Sequence, residues 1–328
     1  MKKTLRSFSL IMTMLFVLMG CTPAATNSTT SAGSTTVTNA ATTTAATTTA
    51  KVEDKGTVYP ITIKSASGTE VEIKAEPKKI VSLSPTFTEV IYALGKGDKL
   101  VGRTDFCDYP SQVSSVASVG SMSNPSIEKI VEMNPDIVIT SFLKEETVKK
   151  IEAAGAKVVS ISSGDSLEGS FKNMKEIGKI LNANKEAEEI VKNINTQISE
   201  VTGKLKDVKP VKTYYVAGFG KNGDYTAGNG TFINEMIKAA GGENVAIDAE
   251  GWSYTSEKLV EKDPTMIFMG SMAKMADEFK TTEPYKNLTA VKNNQVFEVD
   301  DNLIAREGPR LGEGIKLLAK LFHPDVFK

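Results

Sequence analysis

The sequence predicts an α/β protein of two lobes, each built on a mostly parallel sheet, joined by one long helix. Three observations carry this expectation. Residues 128–135 (EKIVEMNP) recur as residues 257–264 (EKLVEKDP), with five of eight positions identical at an offset of 129 residues. A compact apolar run follows each copy, Ile137-Val138-Ile139 in the first and Met266-Ile267-Phe268-Met269 in the second, and such runs suit strands covered on both faces. Between the copies, residues 170–208 contain no proline and only two glycines, Gly178 and Gly203. There Ala187, Ile190, Val191, Ile194 and Ile198 recur at three and four residues, the stripe of a helix lying on a surface.

The elements follow in order. Residues 59–64 and 70–73 alternate in character around Ser67-Gly68, a hairpin signal. Ile80-Val81-Ser82-Leu83 reads as a core strand, and residues 87–94 have helical spacing. Thr86 and Glu89 match a capping box, with Gly95 at the helix end. Strands at 100–102, 137–140 and 158–161 alternate with helices starting near Ser126 and Glu145, the order of a parallel α/β sheet. Each copy of the repeat reads as a short helix ended by proline, because the residue before proline is pushed out of the α region. The second lobe repeats the scheme with a strand at 213–217, a glycine-rich loop at 218–230 and a helix from Phe232 to Gly241-Gly242. Strands at 266–269 and 296–299 follow, and a last amphipathic helix from Arg310 ends before His323-Pro324.

The N-terminal region has a different character. Lys2, Lys3 and Arg6 precede an apolar stretch at residues 10–19, short for a membrane span. Leu18-Met19-Gly20-Cys21 resembles the lipobox of bacterial lipoproteins. That resemblance implies cleavage of residues 1–20 and diacylglycerol on Cys21, two acyl tails where one would hold only marginally. Residues 22–50 are almost entirely Thr, Ala, Ser and Asn without charge, a segment that buries too little surface to offset its ordering entropy and is expected to be a tether. The expected organisation is therefore signal 1–20, lipidated cysteine and tether 21–55, N-terminal lobe 56–166, linking helix region 167–208 and C-terminal lobe 209–328.

Composition excludes several function classes. Net charge is −1 and no dense basic run follows the signal, which argues against nucleic-acid binding. His323 is the only histidine: a histidine-based hydrolase would need it to reach a nucleophile and nothing in the sequence places it there, a multi-histidine metal site cannot be built, and a helix cap is the expected role. With Cys21 lipidated, Cys107 stands alone between Phe106 and Asp108 and reads as a packed thiol. The glycine pairs 218/220 and 228/230 lack the spacing of a phosphate cradle. No pair of carboxylates is marked as acid and base.

Taken together, Ile80-Val81-Ser82-Leu83-Ser84-Pro85, Thr88-Glu89, Leu94-Gly95, Val101-Gly102, Asp108-Tyr109-Pro110, Val119-Gly120, Glu128-Lys129-Ile130, Asn134-Pro135-Asp136, Phe232-Ile233, Ala240-Gly241-Gly242-Glu243-Asn244 and Arg306-Glu307-Gly308-Pro309-Arg310-Leu311 carry a resemblance. From about residue 57 to the end, the chain resembles the solute-binding proteins of ABC importers for vitamin B12, iron-siderophores and haem. The resemblance implies two Rossmann-like lobes on a helical backbone, a ligand held in the groove, and no enzymatic activity or cofactor of its own. It also implies a monomer that delivers its ligand to a permease and, through it, to ATPase subunits. By position, Glu128 and Glu257 are the expected permease-docking pair, the alternative being first-turn glutamates favoured by the helix dipole.

Asp108-Tyr109-Pro110 and Trp252 ahead of Glu257 resemble the cobalamin branch most closely. The implied ligand contacts are Ser84, Pro85, Tyr109, Met122, Phe219, Tyr225, Trp252 and Arg306. A corrin presents flat apolar surface and amide edges that aromatic faces and a few polar groups can hold, although aromatics dominate cores as well. Met122 stands where that branch often carries an aromatic residue, which keeps ferric siderophores and haem open as ligands. Two other classes stay open: an enzyme on a similar scaffold with a metal cluster between lobes, which needs several cysteines where only Cys107 remains, and a surface sensor or adhesion lipoprotein.

Overall fold

The computed structural model describes residues 56–328 apart from Asn222; the signal segment, Cys21 and the tether fall outside the described residues. The described chain opens on an antiparallel ribbon, β1 (Ile61–Lys64) against β2 (Glu70–Ile73). Ile61, Ile63, Val71 and Ile73 are buried while the residues between them are exposed, the two-residue alternation of a one-sided ribbon. Its turn is tied to the first sheet: Ala66 N donates to Ser160 O at 2.6 Å, and Ser160 N donates to Ser65 Oγ at 2.9 Å.

The first lobe comprises β3 (Ile80–Ser82), α1 (Pro85–Ala93), β4 (Leu100–Arg103), α2 (Ile127–Glu132), β5 (Ile137–Thr140), α3 (Glu145–Ala153) and β6 (Lys157–Ser160). Its strands pair in parallel in the order β4-β3-β5-β6. Two helices follow, α4 (Leu167–Ile180) and α5 (Asn184–Lys204). The second lobe comprises β7 (Val211–Val216), β8 (Asp224–Tyr225), α6 (Phe232–Ala239), β9 (Gly242–Asn244), β10 (Ser253–Tyr254), α7 (Ser256–Lys262), β11 (Met266–Gly270), α8 (Ala276–Thr281), α9 (Thr289–Lys292), β12 (Val296–Val299), α10 (Asp301–Ile304) and α11 (Leu311–Phe322). Here β9-β7-β11-β12 form the parallel sheet, with β8 and β10 as a separate antiparallel ribbon.

Numbering each sheet by its own strands gives the same order, second-first-third-fourth, in both lobes. The repeated block leads into the third strand each time, so the duplication extends from sequence to topology. Local chemistry agrees as well. Ser126 Oγ accepts from Lys129 N at the start of α2, and Thr255 Oγ1 accepts from Lys258 N at the start of α7, each satisfying a donor that the first helical turn leaves open. Asn134 and Asp263, each just ahead of its proline, take left-handed backbone angles with φ of 48° and 40°. Proline disfavours right-handed helix at the preceding residue, and Asn and Asp enter the left-handed region more readily than other side chains.

Two local expectations are corrected. Thr86 and Glu89 do not form a capping box, because the helix begins at Pro85 with Ser84 as its cap, and Glu89 is instead buried within it. The tract 170–208 is not one helix. It breaks at Asn182, which takes a φ of 51°, accepts from Thr57 N at 2.7 Å through Oδ1 and donates through Nδ2 to Glu76 Oε2 at 3.0 Å. The long helix is α5 alone, roughly 30 Å at 1.5 Å per residue. It packs against α4 and α11, with Ala187, Val191, Ile194 and Val201 buried. One apolar cluster runs from Ile80 and Phe87 through Val191 and Ile194 to Phe268, Leu311, Ile315 and Leu318, so α5 joins the lobes through a continuous core. Among the described residues no helix is long and apolar enough to cross a membrane.

Candidate functional site

Parallel strands deliver the segments that follow their carboxyl ends to one edge of a sheet, and ligands of open α/β folds bind in the crevice there. In the first lobe these segments bring Ser84, Pro85, Ser141 and Ser163 to the edge after β3, β5 and β6. In the second they include Ala305, Arg306 and Glu307, which follow α10. Two adjoining hollows result. The first, about 260 Å³, is lined by Ser84, Pro85, Met122, Ser141, Asn173 and Arg306 among others. The second, about 410 Å³, is lined by residues including Asp165, Tyr215, Asn229, Thr231, Phe232 and Trp252. Ala305 and Glu307 border both, so they lie on the strip where the hollows meet.

The eight residues expected to contact ligand divide accordingly. Ser84, Pro85, Met122 and Arg306 line the first hollow, and Trp252, 46% exposed, lines the second. Tyr109, Tyr225 and Phe219 line neither. The exposed Tyr109 ring lies beneath the Arg310 guanidinium at 4.1 Å. Tyr225 sits opposite Ser253 on the β8–β10 ribbon, and the next residue, Thr226, donates its N–H to Trp252 O at 2.9 Å. Phe219 meets Phe279 and Tyr285 edge-on, with ring centroids 5.0 and 5.3 Å away, so its ring is spent on packing the second lobe.

Charge in the cleft is organised by a residue the sequence reading placed elsewhere. Glu89, 2% exposed, accepts from Arg306 Nη1 at 2.7 Å and from Arg310 Nε and Nη2 at 2.8 and 2.7 Å. Arg306 Nη1 also reaches Asp108 Oδ1 at 2.7 Å, and its Nη2 donates to Phe106 O at 3.2 Å. Burial works against the charged form of Arg306, but its bonds to Asp108 and Glu89 prevail and raise its pKa. The bond to Glu89 is the main cause of the upward shift of Arg310. Glu307 is raised as well, chiefly by burial and further by Asp165, against the opposing effect of a hydrogen bond accepted from Gly164 N.

Glu128 and Glu257 are exposed in the first turns of α2 and α7, equivalent positions of the two lobes. Neither takes part in a salt bridge among the described residues. Cys107 is buried, with Thr88 and Thr104 hydroxyls each 3.2 Å from its sulfur. His323 caps α11 and donates from Nε2 to Gly241 O at 2.9 Å.

Glu89 and Glu307 escaped the sequence reading of the site. The signal for Glu89 was an acid inside a helix that otherwise buries Phe87, Val90 and Ile91. Glu307 stood beside Arg306 in a charged pair ahead of Gly308-Pro309.

A family model for periplasmic binding proteins matches residues 80–303. An uncharacterized ABC transporter substrate-binding lipoprotein of Bacillus subtilis, YvrC, is 35% identical over 286 residues, covering 85% of this chain and 90% of the relative. A cobalamin-binding protein of Halobacterium salinarum is 28% identical over 284 residues, covering 82% and 76%. The crystal structure of a possible iron-binding (periplasmic solute-binding) protein of Staphylococcus epidermidis superposes with a TM-score of 0.66 at 26% identity, covering 75% of this chain and 99% of that one. With two lobes, a cleft between them and this lengthwise match, the chain belongs to the periplasmic binding protein family, as a substrate-binding protein of the ABC-transporter type and not an enzyme.

Proposed function

We propose that this protein is the extracytoplasmic receptor of an ABC importer that captures cobalamin or a related corrinoid in the cleft and delivers it to the permease. The observation that carries the reading is the cleft itself: two hollows at the carboxyl edges of both sheets, meeting at Ala305 and Glu307, with the single tryptophan, Trp252, on one wall. Their size falls within the roughly 300–1,000 Å³ of small-molecule sites when they are taken as one groove. Trp252 offers a flat face to an apolar ring system, and Ser84, Ser141, Asn173, Asn229 and Thr231 offer neutral hydroxyl and amide groups to its edges. The cobalamin-binding relative supports the same ligand class.

Diacylglycerol on Cys21 anchors the chain to the membrane in this reading, in keeping with the lipoprotein relative, and Glu128 and Glu257 orient it on the permease. The metal enters with the ligand. A ferric siderophore or haem is the alternative, favoured by Met122 in place of an aromatic wall and by the fold shared with the possible iron-binding protein.

The test is a tryptophan fluorescence titration with cyanocobalamin, haemin and a panel of ferric siderophores. Quenching by cyanocobalamin, with binding lost in Trp252→Ala by calorimetry, supports the corrinoid reading. Quenching by a ferric siderophore alone overturns it.

A further inference from the structure

The two hollows are lined by only three charged residues, Arg306, Glu307 and Asp165. Arg306 is the sole cation, and its charge is already matched. Nη1 lies 2.7 Å from both Glu89 and Asp108, Nη2 bonds Phe106 O, and its side chain is only 12% exposed. The second cation of the cluster, Arg310, is held in a two-point bond by Glu89. Two arginines thus face two carboxylates, and no positive charge is left over for a ligand.

Glu307 stands on the opposite side of the balance. Its Oε2 accepts from Gly164 N, its other oxygen has no hydrogen-bond partner among the described residues, and the side chain borders both hollows. Asp165 lines the second hollow and accepts from Ser163 Oγ at 2.7 Å. The remaining polar lining is neutral.

We infer that the cleft selects ligands that present hydrogen-bond donors, such as primary amides, and no anionic group to the Ala305–Glu307 strip, with Glu307 as the ligand-contacting carboxyl and Asp165 reinforcing the discrimination. This deepens the proposed receptor reading and rests on it only in taking the cleft as the ligand site. A carboxylate or catecholate brought there meets like charge without a free cation, which is costly in a partly desolvated site. An amide N–H instead makes a charge-assisted bond to Glu307, stronger than a neutral one. Burial and Asp165 raise the pKa of Glu307; a protonated Glu307 would offer a hydroxyl donor to an amide oxygen and leave the repulsion of anions to Asp165.

Calorimetry on the full-length chain in detergent micelles tests this with matched pairs: cyanocobalamin against its monocarboxylate, in which one peripheral amide is hydrolysed, and ferrichrome, a neutral ferric trihydroxamate, against ferric enterobactin, a trianionic tricatecholate. The neutral member of a bound pair is expected to bind at least tenfold tighter. Glu307→Gln, whose amide oxygen still accepts from Gly164 N, is expected to narrow that ratio at least threefold, and Asp165→Asn to narrow it less. An anionic member that binds as tightly as its neutral partner, or a ratio unchanged in both variants, overturns the inference. Selective ferrichrome binding without corrinoid binding removes the corrinoid reading and leaves the inference standing. Cyanocobalamin binding without discrimination does the reverse, and binding of none of the four ends both. Thermal melts of each variant separate lost discrimination from lost folding, and the wild-type ratio alone decides if Glu307→Gln does not fold.

Discussion

Arg310 grips Glu89 with two parallel hydrogen bonds, Nε to Oε2 at 2.8 Å and Nη2 to Oε1 at 2.7 Å, across 221 residues of chain. Glu89 comes from α1 of the first lobe, and Arg310 immediately precedes α11 of the second. Planar guanidinium and carboxylate groups match in this two-point geometry, so the contact fixes angle as well as distance between the lobes.

Removing one partner leaves the other charge buried. Glu89→Gln is therefore expected to destabilise the protein by about 3–5 kcal/mol, the range for breaking a buried ion pair. Urea denaturation of Glu89→Gln, Arg310→Gln and the double variant checks this. The double variant should be less destabilised than the sum of the singles, because the partners act as one unit.

Glu76 confers acid sensitivity. Hydrogen bonds from Lys99, Asn182 and Lys96 hold its carboxyl at about 2, with Lys99 the largest contributor and burial opposing. A folded-state pKa below the unfolded value means that the bound proton favours unfolding. The stabilisation is complete above the ordinary carboxylate range and is lost as pH falls from about 4.5 toward about 2. Melting temperatures of wild type and Glu76→Gln should differ at pH 6 and converge near pH 2; a constant gap across that window would show that the carboxylate charge is not the cause.

Gly178 lets α4 and α5 approach closely. A Cβ there would meet Ala187 Cβ at 2.6 Å and Ala183 O at 3.0 Å. Alanine improves helix propensity by about 1 kcal/mol over glycine, but overpacking a close contact costs about 1–3 kcal/mol. Gly178→Ala is expected to lower stability in a denaturant titration, and Gly203→Ala, which meets nothing within 4 Å, to raise it slightly.

Glu128 and Glu257 are solvent-facing and remote from the core, so reversing both to lysine should leave folding and ligand affinity intact. Uptake by cells carrying the importer is expected to fall at least tenfold if the pair orients docking. Normal uptake by the double variant would remove that role.

Much of the architecture was legible because it is local. The repeat, the helix start near Ser126, and the alternation in β1 and β2 all follow from neighbouring residues, and the two sheets prove to share one strand order. The break at Asn182 was hidden because a residue at positive φ inside an amphipathic tract leaves no mark on the apolar spacing; its bonds to Thr57 and Glu76 come from 125 and 106 residues away. Phe219 shows the same limit, since an aromatic on a glycine-rich loop reads equally as ligand wall or as packing.

By itself the sequence determined the lobes and their order, because hydrophobic period and turn residues act within a few residues of one another, and its motifs carried the resemblance to the family. Only the tertiary structure decided the electrostatics of the cleft. A glutamate looks the same in sequence whether it will be solvated like Glu128, buried between two arginines like Glu89 or set between two hollows like Glu307, since its energy depends on which charges folding brings within a few ångströms.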